Sequence, residues 1–181
     1  MSQASDSKQL TLSVGKRDRI LGAIDAPVVL VEYGDYQSPQ CRQAHDIVKE
    51  IQRCKGKQLC FVFRHFPQAE LHPQALKTAE VAAAAAAQGK FWEMHDTLFE
   101  HQQALDDASL IEYAIALGLD ITQLLRALSS RVYAQRVQED FHSGISSGVN
   151  STPTFFINGV RHADACNEER LVAAIEQARI F

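Results

Sequence analysis

The chain has 181 residues, 46% hydrophobic and 22% charged, with 9 Gly and 5 Pro, a composition that suits one ordinary domain with enough apolar side chains to bury a core. Its 18 Lys plus Arg against 22 Asp plus Glu leave a formal net charge of −4, and no dense basic stripe is present to neutralise phosphates, so no nucleic-acid partner is expected. No run of about 18 apolar residues occurs and the polar opening MSQASDSKQL lacks the apolar stretch of a secretory leader, so the expectation is no membrane partner and a cytoplasmic location.

Residues 1–8 are polar and Ser-rich and are expected to be a disordered terminus, with a single domain over 9–181. Residues 28–33 (VVLVEY) form a run of β-branched and apolar residues too short for a helix, which predicts a buried strand. Ser38-Pro39 then supplies an N-cap residue and a proline at the first helical position, and the helical pattern runs to about Arg53. Gly56 breaks it, and residues 59–66 (LCFVFRHF) read as a second buried strand, completing a parallel, right-handed β-α-β unit.

The middle of the chain, residues 72–148, predicts a helical block: an Ala-dominated helix over 74–87 after Pro73, a helix carrying Phe91, Met94, Leu98 and Phe99 at helical spacing, one capped by Asp107 and ending at Gly118, one over 121–128 capped by Asp120, and one over 133–147. The period then changes. Residues 154–157, Asn158-Gly159 and 160–161 read as strand, tight turn and strand, and 168–178 as a final helix. The order β-α-β, helical block, β-β-α implies an α/β fold with a mixed sheet covered by helices.

Four cysteines, Cys41, Cys54, Cys60 and Cys166, contain no C-x-x-C pair, and reduced thiols are the expectation for a cytoplasmic chain. The seven His are scattered, His95 and His101 fall on different faces of a helix, and no metal is expected.

Three segments, DAPVVLVEYGDYQSPQC (25–41), GKFWEMHDTLFEHQ (89–102) and GVNSTPTFFING (148–159), resemble the DsbA-like branch of the thioredoxin superfamily, and the resemblance extends over about residues 19–178. It implies a thioredoxin fold with a helical insertion and thiol–disulfide oxidoreductase chemistry at the start of the first long helix. In that family the motif there is C-x-x-C; here it is Ser38-Pro39-Gln40-Cys41. A hydroxyl is a far weaker acid than a thiol and forms no disulfide, so dithiol exchange between positions 38 and 41 is chemically excluded.

What the resemblance leaves is Cys41 as the family's second, less exposed cysteine, its thiolate modestly stabilised by the helix dipole, and Glu32 as the buried carboxylate that exchanges protons with it. If buried, Glu32 should be shifted upward. Thr152-Pro153 matches the family's cis-proline loop, whose backbone docks an extended peptide or glutathione. Tyr36, Pro39, Gln40, Thr152 and Pro153 are expected to surround the substrate. No resident cofactor is implied, with glutathione as a co-substrate and protein or peptide thiols as partners.

Three functions follow. Cys41 forms mixed disulfides with glutathione or protein thiols; or the groove survives as a non-catalytic binding module; or Ser38 holds a glutathione thiolate, as serine does in the kappa-class glutathione transferases of similar fold. Each has a blander counterpart. Ser38 suits a plain N-cap, Cys41 a buried inert thiol, and Phe91, Trp92 and Met94 a core rather than a groove.

Overall fold

A computed structural model describes residues 9–164 and 167–179, so residues 1–8 and Cys166 lie outside the described residues. Five strands, β1 (Arg19–Leu21), β2 (Val28–Gly34), β3 (Leu59–His65), β4 (Thr154–Ile157) and β5 (Val160–Arg161), form one sheet in the order β1-β3-β2-β4-β5. β2 and β3 pair in parallel through the crossover helix α1 (Pro39–Lys55), whereas β4 joins β2 antiparallel and β1 joins β3 antiparallel. The mixed sheet expected from the element order is therefore present. The turn between β4 and β5 has Asn158 at φ 47° and Gly159 at φ 84°, the doubly positive backbone that makes Asn-Gly the preferred pair there.

The alternation of side chains along β2 divides the interior in two. Leu30 packs with Phe61, Phe63, Phe155 and Ile157 under α1, while Val31 and Tyr33 face Val62, Phe66 and Phe156 on the opposite side. Glu32 shares the α1 side, opposite Phe63 on β3 and Phe155 on β4. The central strand thus carries a carboxyl group into the larger of the two cores.

Between β3 and β4 lie five helices: α2 (Ala75–Ala87), α3 (Phe91–Glu100), α4 (Asp107–Ala116), α5 (Ile121–Ser129) and α6 (Ala134–Ser146). The small side chains of α2, buried from Ala82 through Ala85, let α3, α5 and α6 approach closely. The final helix, α7 (Glu168–Ala178), packs on β4. One cap differs from expectation. Asp106, in extended conformation, accepts from the Ser109 N–H, and Asp107 is the first helical residue, paired with Lys77 at 2.5 Å.

β1 carries no sequence signal of its own and is held by a buried ion pair beside it. The Arg64 guanidinium, fully buried on β3, donates to both oxygens of Asp18 at 2.8 and 3.1 Å, to the Leu12 carbonyl at 2.9 Å and to the Tyr33 hydroxyl at 3.0 Å. Removing one partner of such a pair leaves an uncompensated buried charge. Asp18→Ala is therefore expected to lower stability by about 3–5 kcal/mol, measured as a drop in the urea midpoint, whereas Asp25→Ala on the exposed loop leaves it unchanged within about 0.5 kcal/mol.

Candidate functional site

β2 ends at Gly34 and the chain turns through Asp35, Tyr36 and Gln37 into α1. Ser38 has the extended backbone of an N-cap, φ −73° and ψ 122°, and its Oγ accepts from the Cys41 N–H at 3.3 Å. The same hydroxyl lies 3.3 Å from Gln40 Oε1, to which it donates. Pro39 occupies the first helical turn, where its missing N–H costs nothing. Pro39 and Gln40 are exposed, but Ser38 and Cys41 are 1% and 0% exposed. The motif therefore presents its two middle residues to solvent and seals the two at its ends.

Burial decides the acidity of the thiol. Loss of solvation pushes Cys41 well above the ordinary thiol range and the nearby Glu32 carboxyl pushes the same way, against the opposing hydrogen bonds from the Asp35 backbone, Ser38 and Thr152. The Asp35 N–H sits 3.4 Å from Sγ. The modest dipole stabilisation expected of a thiolate in the first turn is thus outweighed, and Cys41 is a protonated thiol at neutral pH.

Glu32 is 1% exposed, and desolvation alone raises its carboxyl to about 8. Its Oε1 has no hydrogen-bond partner and no ion pair reaches it among the described residues. Gly34 keeps the space around it open at the scale of one methyl group: a Cβ there would lie 2.4 Å from the Phe63 ring and 3.1 Å from Glu32 Oε1. The expected upward shift is present.

The Thr152–Pro153 peptide bond is cis, and both residues are buried. Thr152 Oγ1 donates to Gln68 Oε1 at 2.8 Å, and the Thr152 side chain favours the Cys41 thiolate against the effect of burial. The structure therefore brings Glu32, Ser38, Cys41, Thr152 and Pro153 to one place, with Pro39 and Gln40 at its mouth.

Tyr36 does not belong with them. It is 1% exposed, its ring packs on Phe63 and Phe99, and its hydroxyl lies 3.0 Å from His95 Nδ1. An aromatic ring two residues before Ser38 can reach either solvent or the interior, and the partners that draw it inward are on β3 and α3. Phe91 and Met94 are likewise core residues, and half-buried Trp92 donates from Nε1 to the Ile20 carbonyl at 3.2 Å.

Sequence reasoning missed the residues that hold the loops. Asp35, 2% exposed, accepts from the Gln37 N–H at 2.8 Å and the Gln68 N–H at 2.9 Å and hydrogen-bonds His72 Nδ1 at 2.8 Å. Gln102 Nε2 donates to the carbonyls of Tyr36 and Ser38 at 2.8 and 2.7 Å. An aspartate bonding its backbone two residues on is an Asx turn, a signal present in Gly34-Asp35-Tyr36-Gln37; the Gln102 contact, 64 residues distant from Ser38, leaves no local trace.

A family model described as thioredoxin matches residues 15–177. The chain belongs to the thioredoxin family. Its described residues superpose on BdbD of Bacillus subtilis in its oxidised form with a TM-score of 0.83, at 23% identity over 97% of this chain and 98% of that one. Against alpha-DsbA1 of Wolbachia pipientis the TM-score is 0.81 at 20% identity, covering 96% of each chain. The fold is thus the DsbA-like form of the thioredoxin fold. A sequence relative named Na(+)/H(+) antiporter NhaA 1, from Mycolicibacterium vanbaalenii, is 42% identical over 166 residues, 90% of this chain and 27% of the antiporter. The chain spans about a quarter of the length of the curated relatives it matches.

In this thioredoxin-family chain, the Glu32 carboxyl keeps its proton up to about pH 8, whereas the unfolded chain loses it near 4.5. Between those values the folded state binds more protons than the unfolded state, so the contribution is fully present below about pH 4.5 and is lost as pH rises through 8. Glu32→Gln is expected to flatten this slope, making the variant more stable than the wild type by about 3–5 kcal/mol at pH 8.5 and equal to it near pH 4. Urea unfolding across pH 4–9 measures it; parallel curves for the two proteins refute a raised Glu32.

Proposed function

We propose that this chain is a monothiol member of the DsbA-like thiol–disulfide oxidoreductases: it docks extended protein or peptide thiol partners beside Thr152 and Pro153, and it does not turn over a dithiol couple. The observation that carries the proposal is the Ser38 oxygen, 3.3 Å from the Cys41 N–H at the start of α1, where exchange needs a sulfur. Cys54, exposed near the far end of α1, and Cys60, buried on the opposite face of the sheet, are too differently placed to serve in its stead.

Among the described residues, Cys41 is the one thiol at the site that can form a mixed disulfide. Its thiolate would attack an external disulfide, form a Cys41–partner bond and expel the other sulfur as a thiolate; a second external thiol must then release the partner, because no other cysteine among the described residues lies at the site. Complete burial and the high proton affinity of Cys41 make that attack slow.

The burial of Cys41 also favours a second reading, a binding module that uses the groove without any thiol step. Glutathione activation by Ser38 is less well supported, since its hydroxyl already donates to Gln40 and accepts from Cys41. Sodium–proton exchange, named for the much longer relatives, is not proposed for this chain; no helix among the described residues is long and apolar enough to cross a membrane.

Insulin reduction by dithiothreitol tests the central claim. Wild type is expected to match the uncatalysed rate, Ser38→Cys to exceed it at least about tenfold, and Ser38→Cys with Cys41→Ser to fall back; wild-type turnover that survives Cys41→Ser would refute the proposal. In a Cys54→Ser background, oxidised glutathione should add slowly to Cys41, as read by intact mass. No adduct, with peptide capture lost in a Thr152/Pro153 double variant and kept in Cys41→Ser, assigns the chain to the binding module instead.

A further inference from the structure

A second cluster of reactive groups lies deeper along α1, where it packs against α3. His45 on α1 and His95 on α3 are each 3% exposed, and Asp96 follows at the rim of the same contact with a side chain 40% exposed. Each of the three offers one ligand atom, and these atoms lie within 4.8 Å of one another. His45 Nε2 is buried without a hydrogen-bond partner and points toward Asp96 Oδ1 at 3.5 Å, too long for a good hydrogen bond. A cavity of about 50 Å³ opens between His45, His95, Asp96 and Gln52, enough for an ion or a water.

Two features favour these side chains as ligands. The Tyr36 hydroxyl engages His95 at Nδ1, which leaves Nε2 as its ligating nitrogen and supplies the outer hydrogen bond that orients metal-binding histidines. Both rings are held in place by packing, His45 stacked on Phe99 at 4.9 Å and His95 edge-on to Phe63 at 4.6 Å.

We propose that His45, His95 and Asp96 bind a divalent transition-metal ion of the zinc type, with a fourth position open to water in the cavity between α1 and α3. Two imidazoles and one carboxylate suit zinc, which takes four ligands in tetrahedral array, and are too few and too nitrogen-rich for calcium or magnesium. Lys49 is the competing cation: its Nζ lies 2.9 Å from Asp96 Oδ2 and 3.4 Å from Glu100 Oε1. Binding transfers Lys49 to Glu100 and frees Asp96, so Lys49 weakens the site without blocking it.

The full chain in a Cys54→Ser background, stripped with chelator, should take up one Zn²⁺ per molecule in competition with a chromophoric chelator at pH 7.5. Co²⁺ should give visible d–d bands without a thiolate charge-transfer band, and Zn²⁺ should raise the thermal midpoint. Asp96→Asn, at the exposed rim, is expected to lower Zn²⁺ affinity at least about tenfold and abolish the thermal shift, while Lys49→Gln tightens binding. No stoichiometric uptake, a thiolate band with Co²⁺, or affinity unchanged in both Asp96→Asn and His45→Gln overturns the site.

Discussion

The Asp35 carboxylate accepts from the Gln37 N–H and the Gln68 N–H and hydrogen-bonds His72, joining the loop after β2 to the loop after β3. Gln68 then accepts from Thr152, which brings the cis-proline loop into the same network. Ser38, Cys41 and Pro153 come from segments more than 110 residues apart, and this chain of hydrogen bonds is what sets their spacing. A carboxyl group with three hydrogen-bond partners is well suited to burial, since each partner replaces part of the lost hydration. Gln102 closes the arrangement from the other side by occupying the carbonyls of Tyr36 and Ser38. The start of α1 is thus held by its own Ser38 cap and by Gln102 from beyond the end of α3.

Two buried carboxyl groups three residues apart differ in their hydrogen-bond partners. Asp35 is surrounded by them, and Glu32, opposite Phe63 and Phe155, has none at Oε1. Burial therefore leaves Glu32 a proton carrier near neutral pH. The same burial opposes ionisation of Cys41, and an ionised Glu32 would oppose it further, so the thiol and the carboxyl do not lose their protons independently. With Ser38 in place there is no disulfide whose opening would draw on that proton. The carboxyl lies in the central strand beside a single sealed thiol, and its burial is a stability liability that grows as pH rises from about 4.5 to 8.

Features encoded within a few residues were legible in the sequence. Both central strands, the Asn-Gly turn, the Pro39 helix start and the Ser38 cap follow from local composition, because period, φ preference and capping are short-range effects. Asp106 and Asp107 differ by one residue and either can cap; Lys77 pairing with Asp107 accompanies the choice. β1 escaped because three residues carry no period, and its place depends on Arg64 meeting Asp18, 46 residues away. Tyr36 was misplaced for the same reason. Its sequence neighbours are site residues, but its packing partners, Phe63, His95 and Phe99, come from β3 and α3.

The imidazole cluster shows most clearly what spacing alone conceals. His95 has no ligand partner one helical turn away on its own helix, and His101, six residues on, falls on a different face. The group that faces it comes from α1, where His45 follows Cys41 by four residues and so lies one turn deeper on the buried side. One helix face thus carries the thiol at its first turn and an imidazole at its second, and Tyr36 links that imidazole's partner back to the loop that positions Ser38. An ion drawn between His45 and His95 would fasten α1 to α3 and load the Tyr36 hydrogen bond. The two sites share no ligand, but they share the rigid body on which both depend, so a change that loosens the α1–α3 contact is felt at Ser38 and at His45 alike.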